Sequence, residues 1–138
     1  MEKRKTILYV DDDADDREIF RYAFTTIETG FNLEIAVDAD DALKKLASEE
    51  IPAGIYIDMN MPRMNGMDLL KSIKSNPDYA GMLAFIISTN SDPIYRERAL
   101  RLGAVEVFVK PNSIQGILDQ LKSCFTTHFE IGNIRMAS

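Results

Sequence analysis

The sequence holds 138 residues, of which 46% are hydrophobic and 28% charged, with a formal net charge of −6. That length suits one ordinary domain with a real core, and the apolar content excludes a disordered chain. No apolar run is long enough to span a bilayer, and the acid excess disfavours a phosphate backbone, so neither membrane nor nucleic acid is an expected partner.

The chain opens on "MEKRKTILYV", basic and then apolar, without the long apolar core and small-residue cleavage site of a signal peptide. "TILYV" (6–10) reads as a first strand that stops at acids. "DADDREIFRYAFTTI" reads as a helix with Ile19, Phe20, Ala23, Phe24 and Ile27 on one face. "NLEIAV" (32–37) is a strand and "ADDALKKLASEE" (39–50) a helix. "AGIYID" returns to strand, and "NGMDLLKSIKSN" (65–76) is helical until Pro77. "MLAFIIS" (82–88) is the most apolar strand. "SDPIYRERALRLG" is a helix with Asp92 as N-cap, Pro93 at its first position and Gly103 at its end. "VEVFV" (105–109) is the fifth strand. "SIQGILDQLKSCFTTHF" is a last helix with Ile114, Ile117, Leu118, Leu121 and Phe125 on one stripe, although Gly116 weakens its first turn. The single cysteine, Cys124, reads as a packing residue on that helix. One cysteine allows no internal disulfide, which fits a reducing cytoplasm.

Five strand-then-helix units imply an α/β fold, a parallel sheet with helices on both faces. Ligands of such sheets sit beyond the carboxyl ends of the strands. The residues at those ends therefore converge: Asp11, Asp12 and Asp13 after the first strand, Asp58 after the third, Ser88 after the fourth and Lys110 after the fifth. Carboxylates packed at one rim stay ionised only if a cation or hydrogen-bond donors offset their charge. Their oxygens suit a hard divalent cation such as Mg²⁺. A metal, a lysine and a hydroxyl around one carboxylate fit a phosphoryl group.

The segments "ILYVDDD", "IYIDMNMPRMNG", "IIST" and "GAVEVFVKP" resemble the receiver domains of two-component response regulators, from about Thr6 to about Phe125. The resemblance implies a flavodoxin-like (βα)5 fold with strand order 2-1-3-4-5. It implies that Asp58 accepts a phosphoryl group from a phosphohistidine of a sensor kinase or a histidine phosphotransfer protein. Mg²⁺ or Mn²⁺ would be held by Asp12 and Asp58, by Asp11 directly or through water, and by the backbone carbonyl of Asn60. Lys110 would pair with Asp58 before transfer and with the phosphoryl oxygens afterwards, and Ser88 would swing in to bond the phosphoryl group. Asn60 and Asn90 would flank the path of the water that removes it. A cis Lys110–Pro111 bond is expected at the turn that places the lysine.

Two positions depart from the family pattern. Val107 stands where receivers usually carry an aromatic switch residue, with Phe108 on the opposite face of the strand. Thr89, after Ser88, is bulkier than the usual small residue.

Several simpler readings compete. Asp13, Asp15 and Asp16 read as a solvated helix start, since acids favour helix N-termini. An EF-hand fails because Asp16 and Tyr22 stand where the loop needs Gly and Glu. Met59, Met61, Met64 and Met67 read as gap-filling, and His128 as an exposed residue or one helping the end of the last helix. A phosphohydrolase of the haloacid dehalogenase type would need an acidic pair after the lysine, and only the isolated Asp119 and Glu130 follow Lys110. A pseudo-receiver that only binds is the remaining alternative. The expected organisation is a receiver domain over 1–128 and a tail over 129–138, too short for an output domain, which leaves a short strand, docking or disorder open for it. The expected protein is thus a cytoplasmic, stand-alone phosphoacceptor switch, not an enzyme in the ordinary sense. Its output would be a protein contact at the face of the fourth helix, fifth strand and fifth helix, with a homodimer left open.

Overall fold

The computed structural model describes residues 4–48, 50–61, 63–89 and 92–137. Its elements alternate as the apolar runs dictate: β1 (Thr6–Val10), α1 (Ala14–Thr26), β2 (Ile27–Glu28), β3 (Asn32–Ala36), α2 (Ala39–Ser48), β4 (Gly54–Asp58), α3 (Gly66–Lys74), β5 (Leu83–Ser88), α4 (Pro93–Arg101), β6 (Glu106–Val109), α5 (Ile114–His128) and β7 (Arg135–Met136). A 3-10 turn over Pro77–Tyr79 follows α3, where the proline ends the helix.

The main sheet has the order β3-β1-β4-β5-β6, all neighbours parallel. Counted among its own strands this is 2-1-3-4-5, the flavodoxin-like order. Because side chains alternate along a strand, the sheet divides the core in two. Leu8, Val10, Ile55, Ile57, Ile86 and Val107 join residues of α2, α3 and α4 on one face. Ile7, Tyr9, Tyr56, Phe85, Ile87 and Phe108 join α1 and α5 on the other.

Side-chain caps fix the helix starts. Asp13 accepts from the backbone N–H of Asp16, Asn65 from Asp68, Asp92 from Ile94 and Ser113 from Gly116. Gly116 is not a weakness of α5. A Cβ there would lie 2.7 Å from the Pro111 ring, so the turn closes on α5 only with glycine. Two helical-face expectations need correcting: Ile19 and Ile114 are exposed, at the outer edges of their stripes.

The first helix ends one residue earlier than expected. Ile27 is extended, and with Glu28 it forms an antiparallel ribbon with Met136 and Arg135 of the tail. Phe129, Ile131 and Ile134 pack against the α1–α5 core. The tail is therefore a strand-bearing segment fastened to the domain. No helix among the described residues is long and apolar enough to cross a membrane.

Candidate functional site

The parallel register brings four strand ends to one rim. Val10 pairs with Ile57, Asp58 with Ile87, and Ser88 with Val109. Backbone bonds just past the strands hold the next residues there. Asp11 N–H donates to the Ala36 carbonyl at 3.2 Å, Met59 N–H to Ile87 at 2.9 Å and Lys110 N–H to Ser88 at 2.8 Å. Asp11, Asp58 and Ser88 are buried, while Asp12 is exposed.

The segment after Asp58 folds back over the site. Gly66 N–H donates to the Met59 carbonyl at 3.0 Å. A Cβ on Gly66 would meet the Asp58 carbonyl oxygen at 2.5 Å, so the "MNG" ending is a steric requirement of this turn. Met59, Met61 and Met67 are buried beneath it and Met64 packs against them, as gap-filling residues do.

Asp11, Asp12 and Asp58 each offer a carboxylate oxygen within 4.8 Å of the others. Such an all-oxygen set, carrying up to three negative charges, fits a hard divalent cation. The three acids are not equivalent. Asp11 Oδ2 accepts from the Tyr9 hydroxyl at 2.6 Å, and its Oδ1 accepts from the Asp13 N–H at 3.0 Å. Arg17 donates to the Asp11 carbonyl at 3.0 Å. Asp58 Oδ1 accepts a long 3.4 Å bond from the Asn60 N–H. Burial, then the Asp11 charge, push the Asp58 carboxyl up to about 6, against the opposing pull of Lys110. Burial and the bond to Asp11 likewise hold the Tyr9 hydroxyl protonated well above its ordinary range.

Lys110 reaches the rim, but not in the expected pairing. Its Nζ donates to Asp16 Oδ2 at 2.7 Å and lies 3.4 Å from Asp11 Oδ2 and 3.6 Å from Asp58 Oδ1. Asp16 is therefore part of the site and not merely a solvated helix-start acid. Burial pulls the Lys110 ammonium down, yet Asp16, Asp11 and Asp58 outweigh it and keep the group charged. The Lys110–Pro111 bond is trans, contrary to the sequence expectation, since no cis bond occurs among the described residues. An X–Pro bond prefers trans by roughly 0.5–1 kcal/mol, and the lysine reaches the acids without the alternative isomer.

Asn60 is exposed beside Asp58, and its side-chain amide donates to the Thr89 hydroxyl at 3.4 Å. Asn90 lies outside the described residues. Val107 belongs to the α2–α4 core and Phe108 to the α1–α5 core, the opposite faces that strand alternation predicts. A cavity of about 330 Å³ opens between α1 and α5, walled by Ile19, Phe20, Ile87 and Ile117, with Asp16 and Lys110 at its edge. At the far end, His128 Nε2 lies 2.7 Å from Glu106 Oε2, so the histidine is a partly buried tie between α5 and β6 instead of an exposed one. Cys124 is buried, and burial pushes its thiol up to about 12, which leaves it inert.

The doubly wound sheet thus gathers three acids, a hydroxyl and a lysine at its carboxyl rim, a set of groups suited to a divalent cation and a phosphoryl group. Residues 7–122 match the model of the response regulator receiver domain, and the chain belongs to that family. It is similar to the probable chemotaxis protein CheY of Rhizobium etli, 27% identical over 119 residues, covering 86% of this chain and 91% of that protein. It is also similar to the response regulator MprA of Mycolicibacterium vanbaalenii, 28% identical over 117 residues and 85% of this chain. The chain spans about half the length of MprA, 48%. The Mn²⁺-bound form of the response regulator Rcp1 shares the fold, with a TM-score of 0.78 at 20% identity over 97% of this chain and 99% of that one.

Proposed function

We propose that this chain is a single-domain phosphoacceptor switch whose acceptor is Asp58. The observation that carries the reading is the Asp58 carboxylate itself. It is buried at the rim, within 4.8 Å of two further acids, with a lysine ammonium 3.6 Å away. A carboxylate in that setting is costly to the fold unless its charge is used.

In the proposed reaction one Asp58 oxygen attacks the phosphorus of a phosphohistidine. A P–O bond forms as the P–N bond breaks, and the electron pair leaves with the imidazole nitrogen. Lys110 and Ser88 then face the phosphoryl oxygens, and their donors offset the transferred charge. Asp12 and Asp58, with Asp11 and the Asn60 carbonyl, would hold Mg²⁺ or Mn²⁺, which supplies positive charge to the phosphoryl oxygens when bound. The Tyr9 hydroxyl and the Asp13 N–H take one site on each Asp11 oxygen, which leaves Asp11 able to act directly or through water. Asn60 and Asn90 tune loss of the group by flanking the water's approach. The donor is a sensor histidine kinase or a phosphotransfer protein in the cytoplasm. The output is a protein contact at the α4–β6–α5 face, where Ile94, Tyr95 and Val109 are exposed. A phosphoryl group acts there only by favouring one of two states already available.

The test is intact-mass spectrometry after incubation with acetyl phosphate, a donor whose acetate leaves as the imidazole would. Wild type should gain one phosphoryl group with Mg²⁺ and none without it, and Asp58→Asn should gain none. Equal labelling of Asp58→Asn would overturn the assignment. Failure of wild type with both acetyl phosphate and a cognate kinase would leave a pseudo-receiver that only binds.

A further inference from the structure

The lysine at the rim has three donors and three acids within reach, and its shortest contact is with the acid that the phosphoryl chemistry does not use. Nζ lies 2.7 Å from Asp16 but 3.6 Å from Asp58, beyond hydrogen-bond distance. Asp16 comes from the first turn of α1, 94 residues away in sequence. Its side chain does not cap that helix, because Asp13 does. Asp16 is also the most solvated of the three, with 36% of its side chain exposed against 4% for Asp58 and none for Asp11. Water can replace the lysine at Asp16 more readily than at either buried acid. Its charge acts at the rim by drawing Lys110 aside.

We propose that Asp16 is a positioning residue that holds Lys110 away from Asp58 in the unphosphorylated protein and slows acceptance of the phosphoryl group. The inference rests on the phosphoacceptor reading of Asp58. When Asp58 carries a phosphoryl group, its oxygens compete with Asp16 for the same ammonium, which already lies 3.6 Å from Asp58 Oδ1. The 2.7 Å contact thus sets a threshold that donors must overcome. A receiver with a neutral residue at this position would have its lysine already committed to the acceptor.

The test measures the rate of labelling by acetyl phosphate at saturating Mg²⁺ for wild type, Asp16→Asn, Asp16→Glu, Lys110→Ala and the Asp16→Asn/Lys110→Ala pair. Asp16→Asn should label about 3- to 10-fold faster, the scale of one partly exposed charge-assisted contact. Asp16→Glu, which restores the charge, should return the rate toward wild type. The gain should vanish on the Lys110→Ala background, since it acts through the lysine. A role of Asp16 confined to helix stability would leave the rate unmoved, or would give the same change with and without the lysine, and either result overturns the proposal. Crystal structures of metal-free wild type and Asp16→Asn supply a readout independent of labelling. In Asp16→Asn, Nζ should sit within about 3.0 Å of an Asp58 oxygen, and a lysine that stays in place or turns to Asp11 alone would refute the latch. If wild type takes no label, the acceptor reading fails on its own, while the lysine position still decides whether Asp16 holds it.

Discussion

The two faces of the sheet are built from different materials. The α2–α4 face is aliphatic and rich in methionine, with Met59, Met61, Met67, Met82 and Val107 among its buried residues. The α1–α5 face is a set of ring contacts: Tyr9 stacks on Phe20 at 3.8 Å, Tyr56 on Phe85 at 5.0 Å, and Phe125 meets Phe31 at 5.0 Å. Rings pack with defined geometry and carry polar handles, whereas methionines adapt to irregular space. The Tyr9 hydroxyl uses that rigidity to grip Asp11 from below. The site is therefore anchored on its ring-packed side. The α4–β6–α5 face proposed for output draws on both, since α4 packs on the methionine-rich side and α5 on the ring-packed one.

The contrast can be broken at five points, and each has an expected size. The largest is Phe125→Ala, which removes a fully buried ring and should cost about 3–5 kcal/mol. Met67→Leu, a volume-conserving change on the other face, should cost less than about 1.5 kcal/mol. Urea unfolding of both variants checks the two sizes, and a loss above about 1.5 kcal/mol in Met67→Leu would mean that the methionine-rich face does not adapt.

Next comes the rim. Burial raises the folded-state pKa of Asp58 from 3.8 to about 6, so between those values the folded protein holds a proton that the unfolded chain has released. Stability of the metal-free protein should therefore rise as pH falls from 7 toward 5 and fall again as pH climbs through about 6. Asp58→Asn should remove that component and stabilise the metal-free protein at pH 7 by about 1–3 kcal/mol. Thermal melts in chelator at three pH values measure it, and a less stable Asp58→Asn would contradict the picture of a strained acid. Tyr9→Phe should act in the opposite direction, costing about 1–2 kcal/mol by leaving Asp11 short of one donor. No loss in the same melts would mean that the hydroxyl does not anchor the acid. The smallest effect belongs to the β2–β7 ribbon. It pairs two residues with two, with Glu28 and both residues of β7 exposed, so deleting residues 135–138 should cost less than about 1 kcal/mol. A loss as large as that of Phe125→Ala would place the tail among the core elements.

Much of this was legible in the sequence. The five parallel strands follow from short apolar runs separated by amphipathic ones, and the caps at Asp13, Asp92 and Ser113 lie where helix-start chemistry puts them. The meeting of Asp11, Asp58, Ser88 and Lys110 follows from parallel topology alone, because all four close strands of one sheet. What escaped depends on contacts that no local pattern encodes. The bond from Lys110 to Asp16 spans 94 residues, and an acid in a first helical turn is ordinarily solvated. The tie between His128 and Glu106 spans 22 residues. Tyr9 reads as one apolar letter of a strand until its hydroxyl is seen on Asp11. Two-residue strands such as β2 and β7 are too short to show any period.

The most direct measurement of the central claim is to trap the acceptor chemically. After labelling with acetyl phosphate and Mg²⁺, borohydride reduces an aspartyl phosphate to homoserine, which peptide mass spectrometry locates by residue. Homoserine should form at position 58 and at no other acid, and none should form when Mg²⁺ is withheld. Homoserine at position 11 or 12, or unmodified peptides in a protein that remains folded, would contradict it.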